Sequence, residues 1–481
     1  MNVVKRSERF QSFRKDWSIV LITMLLFLFC FPMSMAGAAP ATTIESYDVI
    51  VFGSEIQGML LAQEARTLGL NVLVLDPRSR PGGELIQGQM FFLDDVNDNR
   101  KNSLVQGEIK HLFDGYKAGT IRKADEFQQY YDRIAKGIPL KSSIVIESVN
   151  ISANNGMKSL KTLTYRDKAG VRHTVQAKYW VENSDFSGLT GKLGEKRIPG
   201  MESLYNSKKP DYMAATYMLN FKKVNWSKLH QAILEDYPLT HVRAKYGPNT
   251  YVDWHFATGF SNLTQNFATN DPQLRLRGLN AVYQRDGQVI INALLIYNVD
   301  PSNPALIKSA LRKGRAQAPQ ILAFLRKNIP GFSNAELNGY PEYLYIRDYN
   351  RYQTKYVLDY PDLTSGKMFW DNVSIGGYSI DLQGTSAIPT GIGFGKPNRY
   401  GIPLRSFELR SYDNVLVIGK NIGATIKAYG SARIMPTNAL AAQTIGIILG
   451  RERNKQLDEL TESDFKRIHS YLKKDYHIVL K

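Results

Sequence analysis

Gly53, Ser54, Glu55 and Gly58 punctuate a chain that passes from Tyr47-Asp48-Val49-Ile50-Val51-Phe52 into Ile56-Gln57. Residues at this spacing handle phosphate without a reactive side chain. The first glycine allows a tight turn, the last lets the following helix approach the strand, and the helix N-terminus offers unpaired N–H groups to an anion. The run therefore predicts a nucleotide site. Asp76, followed by Pro77, ends a second apolar run, Asn71-Val72-Leu73-Val74-Leu75, where a carboxylate would bond the adenosine ribose hydroxyls. It favours an unphosphorylated ribose. Glu55 stands where the usual G-x-G-x-x-G pattern has its middle glycine, and it brings a negative side chain to a polyanion site. Its carboxylate is expected to turn outward to solvent or to cap the helix, because aimed at the diphosphate it would oppose the neighbouring glycines.

Such residues need a parallel sheet to hold them, and the two apolar runs with the helix between them make a βαβ unit of about 30 residues. Directly after it comes Pro81-Gly82-Gly83-Glu84-Leu85-Ile86-Gln87-Gly88, and far downstream Asp413-Asn414-Val415-Leu416-Val417-Ile418-Gly419-Lys420-Asn421, then Tyr429-Gly430-Ser431-Ala432-Arg433-Ile434-Met435-Pro436-Thr437. In this order the chain resembles the FAD-dependent oxidoreductases of the glutathione-reductase-like type, in an exported bacterial branch. The resemblance implies non-covalent FAD held by Gly53, Ser54, Glu55, Gly58, Asp76, Pro77, Gly82, Gly83, Gly88, Gly419, Asn421 and Arg433. It also implies a helix after Arg433 whose N-terminus faces the isoalloxazine and stabilises negative charge there.

The expected fold is α/β, with a discontinuous Rossmann-like FAD-binding domain and a second, mixed α+β substrate domain. Residues 1–38 read as a signal peptide or signal anchor, 46–204 as the first part of the FAD-binding domain and 205–375 as the substrate domain. Residues 376–450 would return to the first domain, and 451–481 would form a helical tail. Within these, residues 124–136 read as a helix, 159–179 as a β-hairpin turning at Asp167-Lys168-Ala169-Gly170, and 304–327 as a helix bent or divided by Gly314 and Pro319.

Two stretches resemble the same family more narrowly. Leu344-Tyr345-Ile346-Arg347-Asp348-Tyr349-Asn350-Arg351 matches its arginine-containing strand, and Ser374-Ile375-Gly376-Gly377-Tyr378-Ser379-Ile380-Asp381 its glycine-tyrosine strand. Arg347 and Arg351 are therefore either a salt-bridged strand pair or partners of a substrate carboxylate or the flavin. Asp381 and His255, in an aromatic stretch of the second domain, are the other catalytic candidates. Departures from the family gather at Asn183-Ser184-Asp185, in place of an Asp-Ala-Thr-Gly-like run, and at Gln383, where a histidine is common. No His, Asp or Glu spacing suggests a metal site.

Lys5, Arg6, Arg9, Arg14 and Lys15 precede an apolar run from Ile19 to Phe31, followed by Ala36-Gly37-Ala38-Ala39. This is the layout of a secretory signal, with cleavage expected after Ala38, or of an uncleaved membrane anchor. The protein is expected outside the cell or in the envelope. The single cysteine, Cys30, lies in that leader, so a mature chain would hold no disulfide and no cysteinyl flavin. The formal net charge of +17 suits anionic neighbours such as a wall polymer or a membrane surface. Nucleic acid is not expected, because no basic helix or RNA-binding signature accompanies the charge. Oligomeric state stays open. These features together predict an oxidoreductase that oxidises a small organic substrate by hydride transfer to FAD. The alternative is a catalytically degenerate nucleotide-fold binding protein of the cell surface, favoured by Glu55, Asn183-Ser184-Asp185 and Gln383.

Overall fold

The computed structural model describes residues 44–481. The expectations for the leader, Cys30 and cleavage after Ala38 fall outside the described residues. The apolar runs of the sequence build a mixed sheet on which everything else is hung. β1 (Ile44–Phe52) pairs in parallel with β2 (Val72–Asp76), and α1 (Ile56–Thr67) crosses between them. The sheet continues through Leu140–Ser142 on one side and Arg172–Glu182, Met157–Arg166 and Val145–Asn154 on the other. Val415–Val417 adds in parallel to Arg172–Glu182 from far along the chain. The result is an α/β fold with a Rossmann-like parallel centre. The expected hairpin is present: Met157–Arg166 and Arg172–Glu182 pair antiparallel, and the Asp167 carboxylate accepts the N–H groups of Ala169 and Val171, each at 2.9 Å.

Ser54 and Glu55 lie at the end of β1, where a strand buried on both faces gives way to the helix. α1 is buried from Ile56 to Ala62 and again at Ala65 because it lies between the sheet and the helix Met435–Arg451, itself buried over most of its length. The two helices approach closely: a Cβ on Gly446 would sit 2.6 Å from the Leu61 carbonyl oxygen, and one on Gly450 2.5 Å from Leu68 Cβ. No helix among the described residues is long and apolar enough to cross a membrane.

A second, antiparallel sheet centres on Ala215–Lys222 and Val289–Ile296, with Leu279–Tyr283, Phe256–Gly259 and shorter strands beside them. The helix Pro304–Asn328 lies along it and runs uninterrupted through Gly314 and Pro319, contrary to the expected division. Its face Ile307, Ala310, Gly314, Ala318, Ile321 and Leu325 is buried at helical spacing, and Gly314 lies flat against the Tyr217 ring. Packing along 25 residues outweighs the local cost of one missing N–H. Residues 344–350 also differ from expectation. They form an extended segment with one bridge, Tyr345 to Thr216, and only Arg351–Tyr352 is a strand. Side chains take the carbonyls that a ladder would have taken: Lys420 Nζ donates to the Ile346 carbonyl and the Tyr429 hydroxyl to that of Arg347, at 3.0 Å.

Candidate functional site

The turn after β1 depends on Gly53, whose φ of +97° suits a residue without a Cβ, and a Cβ there would also meet the Ser184 backbone nitrogen at 2.6 Å. Ser54 then turns toward Asp76, fully buried at the end of β2. The Asp76 carboxylate accepts from the Ser54 N–H at 2.9 Å and from the Ser54 hydroxyl. It also accepts from the Arg78 N–H at 2.8 Å and from that residue's guanidinium at 3.1 and 2.8 Å. The acceptor sites of Asp76 are thus taken up by the chain itself.

Arg78, with its side chain only 10% exposed, also ion-pairs with Glu55 and lies 3.8 Å from Asp185. Burial opposes its charge, but Asp76, Glu55 and Asp185 together hold its pKa well above the ordinary arginine value. Glu55 is buried and points inward, which corrects the expectation that it faces solvent or caps the helix. It makes no side-chain cap, and its carboxylate accepts the Glu84 N–H at 2.9 Å and the Arg78 guanidinium. The reason is charge: Arg78 supplies the partner that the glycine pattern did not reveal. The carboxylate lies against Gly83, so a Cβ on that glycine would collide with it. Gly82, with φ of +103°, makes the turn before it.

Across from this turn, the family-like return strand brings Glu182, Asn183, Ser184 and Asp185. The Glu182 carboxylate gathers the N–H groups of Ser184, Leu189 and Thr190 at 2.8 to 3.0 Å and so shapes the loop. Asn183 packs over Gly58 and donates to the Glu55 carbonyl at 3.0 Å, which explains why Gly58 carries no side chain. Gly419 faces the same asparagine, and Asn421 donates to the Ser184 carbonyl at 2.7 Å. Asp185 accepts from the Tyr343 hydroxyl at 3.0 Å through Oδ1, while its Oδ2 has no hydrogen-bond partner among the described residues. Burial and the nearby Glu55 push its carboxyl up to about 7, against the pull of Arg78 and Lys420. Lys420 ion-pairs with Glu84, whose carboxyl is also raised by burial. In this network Glu55, Asp76, Glu84 and Asp185 face Arg78 and Lys420, an excess of negative charge that makes the raised carboxyls intelligible.

A second cluster lies beyond Lys420. Arg347, buried, donates to the Ala214 carbonyl at 2.9 Å, the Thr216 hydroxyl at 2.6 Å and Asn292 Oδ1 at 3.0 Å. Arg277 donates to Gln383 Oε1 at 2.9 Å, and Gln383 in turn donates to Asp381 Oδ2 at 2.8 Å. Arg433 reaches the Tyr345 hydroxyl and the Asp381 carbonyl, each at 3.3 Å. The Nε atoms of Arg277 and Arg433 have no partner among the described residues. Burial lowers Arg277 and brings Arg347 down to about 10. Asp94, which accepts from the Tyr378 hydroxyl at 3.1 Å, lies within the field of all three arginines. Its carboxyl is nevertheless raised, because burial outweighs them. A narrow cleft lined by Glu84, Asp94, Tyr345, Lys420, Arg433 and Met435 joins this cluster to the glycine-rich turn.

The structure gathers Gly53, Ser54, Glu55, Asp76, Gly82 and Gly83 at the first turn, with Pro77 beside Asp76. Gly88 closes the following loop, where a Cβ would meet the Glu84 carbonyl at 2.7 Å. Arg347, Asp381 and Arg433 meet in the second cluster. Two candidates do not join them. His255 is exposed beside Trp254, and Arg351 is buried in an ion pair with Asp348 at 2.6 Å, over the Tyr429 ring. Arg78, Glu84, Lys420, Asp94 and Arg277 were not singled out from sequence. Arg78 carries a signal only through its place, two residues past the expected ribose carboxylate, where the chain bends and brings the guanidinium back onto Asp76. Arg277 carries none, because it comes from a strand edge with no motif around it.

The family described as FAD dependent oxidoreductase matches residues 48–468. No curated protein matches the chain. Among solved structures, a geranylgeranyl bacteriochlorophyll reductase-like protein from Thermoplasma acidophilum is 11% identical, covering 90% of this chain and 85% of its own, with a TM-score of 0.37. The myxobacterial chondrochloren halogenase CndH is 12% identical, over 90% of this chain and 80% of its own, with a TM-score of 0.38. Anhydrotetracycline hydroxylase OxyS from Streptomyces rimosus is 11% identical, over 90% and 67%, with a TM-score of 0.39.

The donor chemistry of the first turn fits a dinucleotide. A backbone N–H at Glu84 and a buried guanidinium at Arg78 already hold an anion there, the Glu55 carboxylate, and Asp185 Oδ2 is an unpaired acceptor beside them.

Proposed function

Because this chain belongs to the FAD dependent oxidoreductase family, with FAD as its cofactor, we propose that it oxidises a small, carboxylate-bearing organic substrate by hydride transfer. FAD supplies the hydride acceptor. The residues that would hold it are the glycine-rich turn of Gly53 to Gly58, Asp76, Arg78, Gly82 and Gly83, and from the return segment Gly419 and Asn421. Arg277, Arg347 and Arg433 would hold the substrate. The observation that carries this reading is the second cluster itself: of its three guanidinium groups those of Arg347 and Arg433 are buried and those of Arg277 and Arg433 have an unpaired Nε, while their carboxyl neighbours among the described residues are Asp94, Asp381 and, beside Arg433, Glu84, which Lys420 already pairs. Buried cations call for anions, and a substrate carboxylate would complete that set. Asp94, whose carboxyl is raised by burial, is placed to exchange a proton with a substrate held there.

The test is anaerobic mixing of the FAD-loaded protein with matched pairs of 2-hydroxy or 2-amino acids and their neutral alcohols or amines. Bleaching of the flavin absorbance by acids alone is expected. Equal bleaching by the neutral partners would refute the anionic reading. Export is a separate part of the proposal, supported by the basic, apolar and small-residue order of residues 5–39. Intact mass of protein from the envelope or medium should correspond to a chain beginning at Ala39, and a mass retaining the leader would instead mean an anchor.

A further inference from the structure

We propose that the Glu55 carboxylate is a built-in occupant of the diphosphate seat, which FAD must displace in order to bind. The proposal rests on FAD being the cofactor and concerns how its affinity is set. Glu55 comes from the middle position of the glycine pattern, where backbone and diphosphate meet closely in a dinucleotide fold. Its carboxylate is not spare. It is buried, it accepts the Glu84 N–H at 2.9 Å and the Arg78 guanidinium, and it lies against the bare Cα of Gly83. An N–H, a guanidinium and a glycine surface are the groups expected to receive a phosphate oxygen. The chain thus satisfies its own anion site with a side chain of its own.

The adjoining groups follow the same logic. Arg78 is held by Asp76 as well, so the guanidinium covers the carboxylate that would meet the ribose. Asp185 is a further buried acid, 3.8 Å from Arg78. Two anions cannot share this seat. When FAD enters, Glu55 has to leave, and Arg78 is then free to face the diphosphate. Affinity is reduced by the fraction of molecules in which the seat is open.

The test is titration of the FAD-stripped protein with FAD, followed by flavin fluorescence, for the wild type, Glu55→Gly and Glu55→Gln. Glycine is the residue the pattern ordinarily has at this position, and Arg78 keeps Asp76 as its partner when Glu55 is removed. The charge-assisted bonds that hold Glu55 are of the size that shifts a binding constant by about 10- to 100-fold. Glu55→Gly is therefore expected to tighten FAD binding by that factor, and the isosteric Glu55→Gln, which keeps the shape but not the charge, by a smaller one. Circular dichroism confirms folding, and Glu55→Gln alone decides the matter should the glycine variant not fold. Unchanged or weaker affinity in the folded variants overturns the proposal and leaves the cofactor assignment standing. Failure of both wild type and variants to bind FAD overturns both.

Discussion

Arg351→Met separates a structural arginine from a catalytic one. Arg351 and Asp348 are each 1% exposed and 2.6 Å apart, and the guanidinium also lies 3.6 Å from the centre of the Tyr429 ring. Removing one member of a buried pair leaves the other charged and unpaired, which costs about 3–5 kcal/mol. The loss must depend on pH. Burial already raises the Asp348 carboxyl, and Arg351 pulls it back down. Without Arg351 the carboxyl rises further. A carboxyl with a raised folded pKa contributes stability that is full below its unfolded pKa and disappears as pH rises through the folded one. The variant should therefore lie nearest the wild type below the unfolded carboxyl pKa, at about pH 4, and fall behind it progressively as pH rises, toward the full 3–5 kcal/mol at about pH 8. Urea unfolding at the two pH values measures this. Arg351→Met combined with Asp348→Asn should recover most of the loss at the higher pH. A pH-independent loss, or a double variant no better than the single one, would refute the argument, and loss of turnover without loss of stability would return Arg351 to the active site.

Gly58→Ala should loosen α1 from the return strand, because the new Cβ would meet Asn183 Cγ at 2.6 Å. Overpacking of this kind costs about 1–3 kcal/mol; thermal melting should show the loss, and Asn183→Ala in the same chain should relieve it. Asp185→Asn bears on the pH profile. The Asp185 carboxyl, raised by burial and Glu55 to about 7, contributes stability that is present at low pH and lost as pH climbs toward neutrality. Melting temperatures of wild type and Asp185→Asn should therefore diverge in favour of the variant between about pH 5 and 8, and parallel curves would show that Asp185 keeps its charge throughout.

The strand-turn-helix core was legible because period, apolar run and glycine position act locally. β1, α1, β2, the hairpin ending in Glu182 and the helix after Arg433 follow from such signals. Glu55 stands out of place in the glycine pattern, but its direction is not readable there, since that depends on Arg78 and on the Glu84 N–H arriving from the next loop. Residues 344–350 looked like a strand by composition, yet their carbonyls are claimed by Lys420 and Tyr429 from a segment some eighty residues away. Arg347 and Arg351 look equivalent four residues apart. Only the fold shows that one has a carboxylate partner and the other does not. Asp94 and Arg277 stand in no motif, and it is tertiary packing that makes them neighbours.

The close seating of Met435–Arg451 on α1, glycine against backbone at Gly446, also sets a timetable. α1 is among the first described segments to be synthesised and its cover among the last, so the nucleotide layer cannot close while the ribosome is still at work on the middle of the chain. Until then Leu61 and Leu68 have no lasting partner on that side. A chain built this way stays incompletely folded until it is almost entirely made, exposed to aggregation or to a holding chaperone. The same delay would keep it threadable through a membrane pore, and it means that a cofactor whose site spans both ends of the chain can be taken up only after synthesis is over.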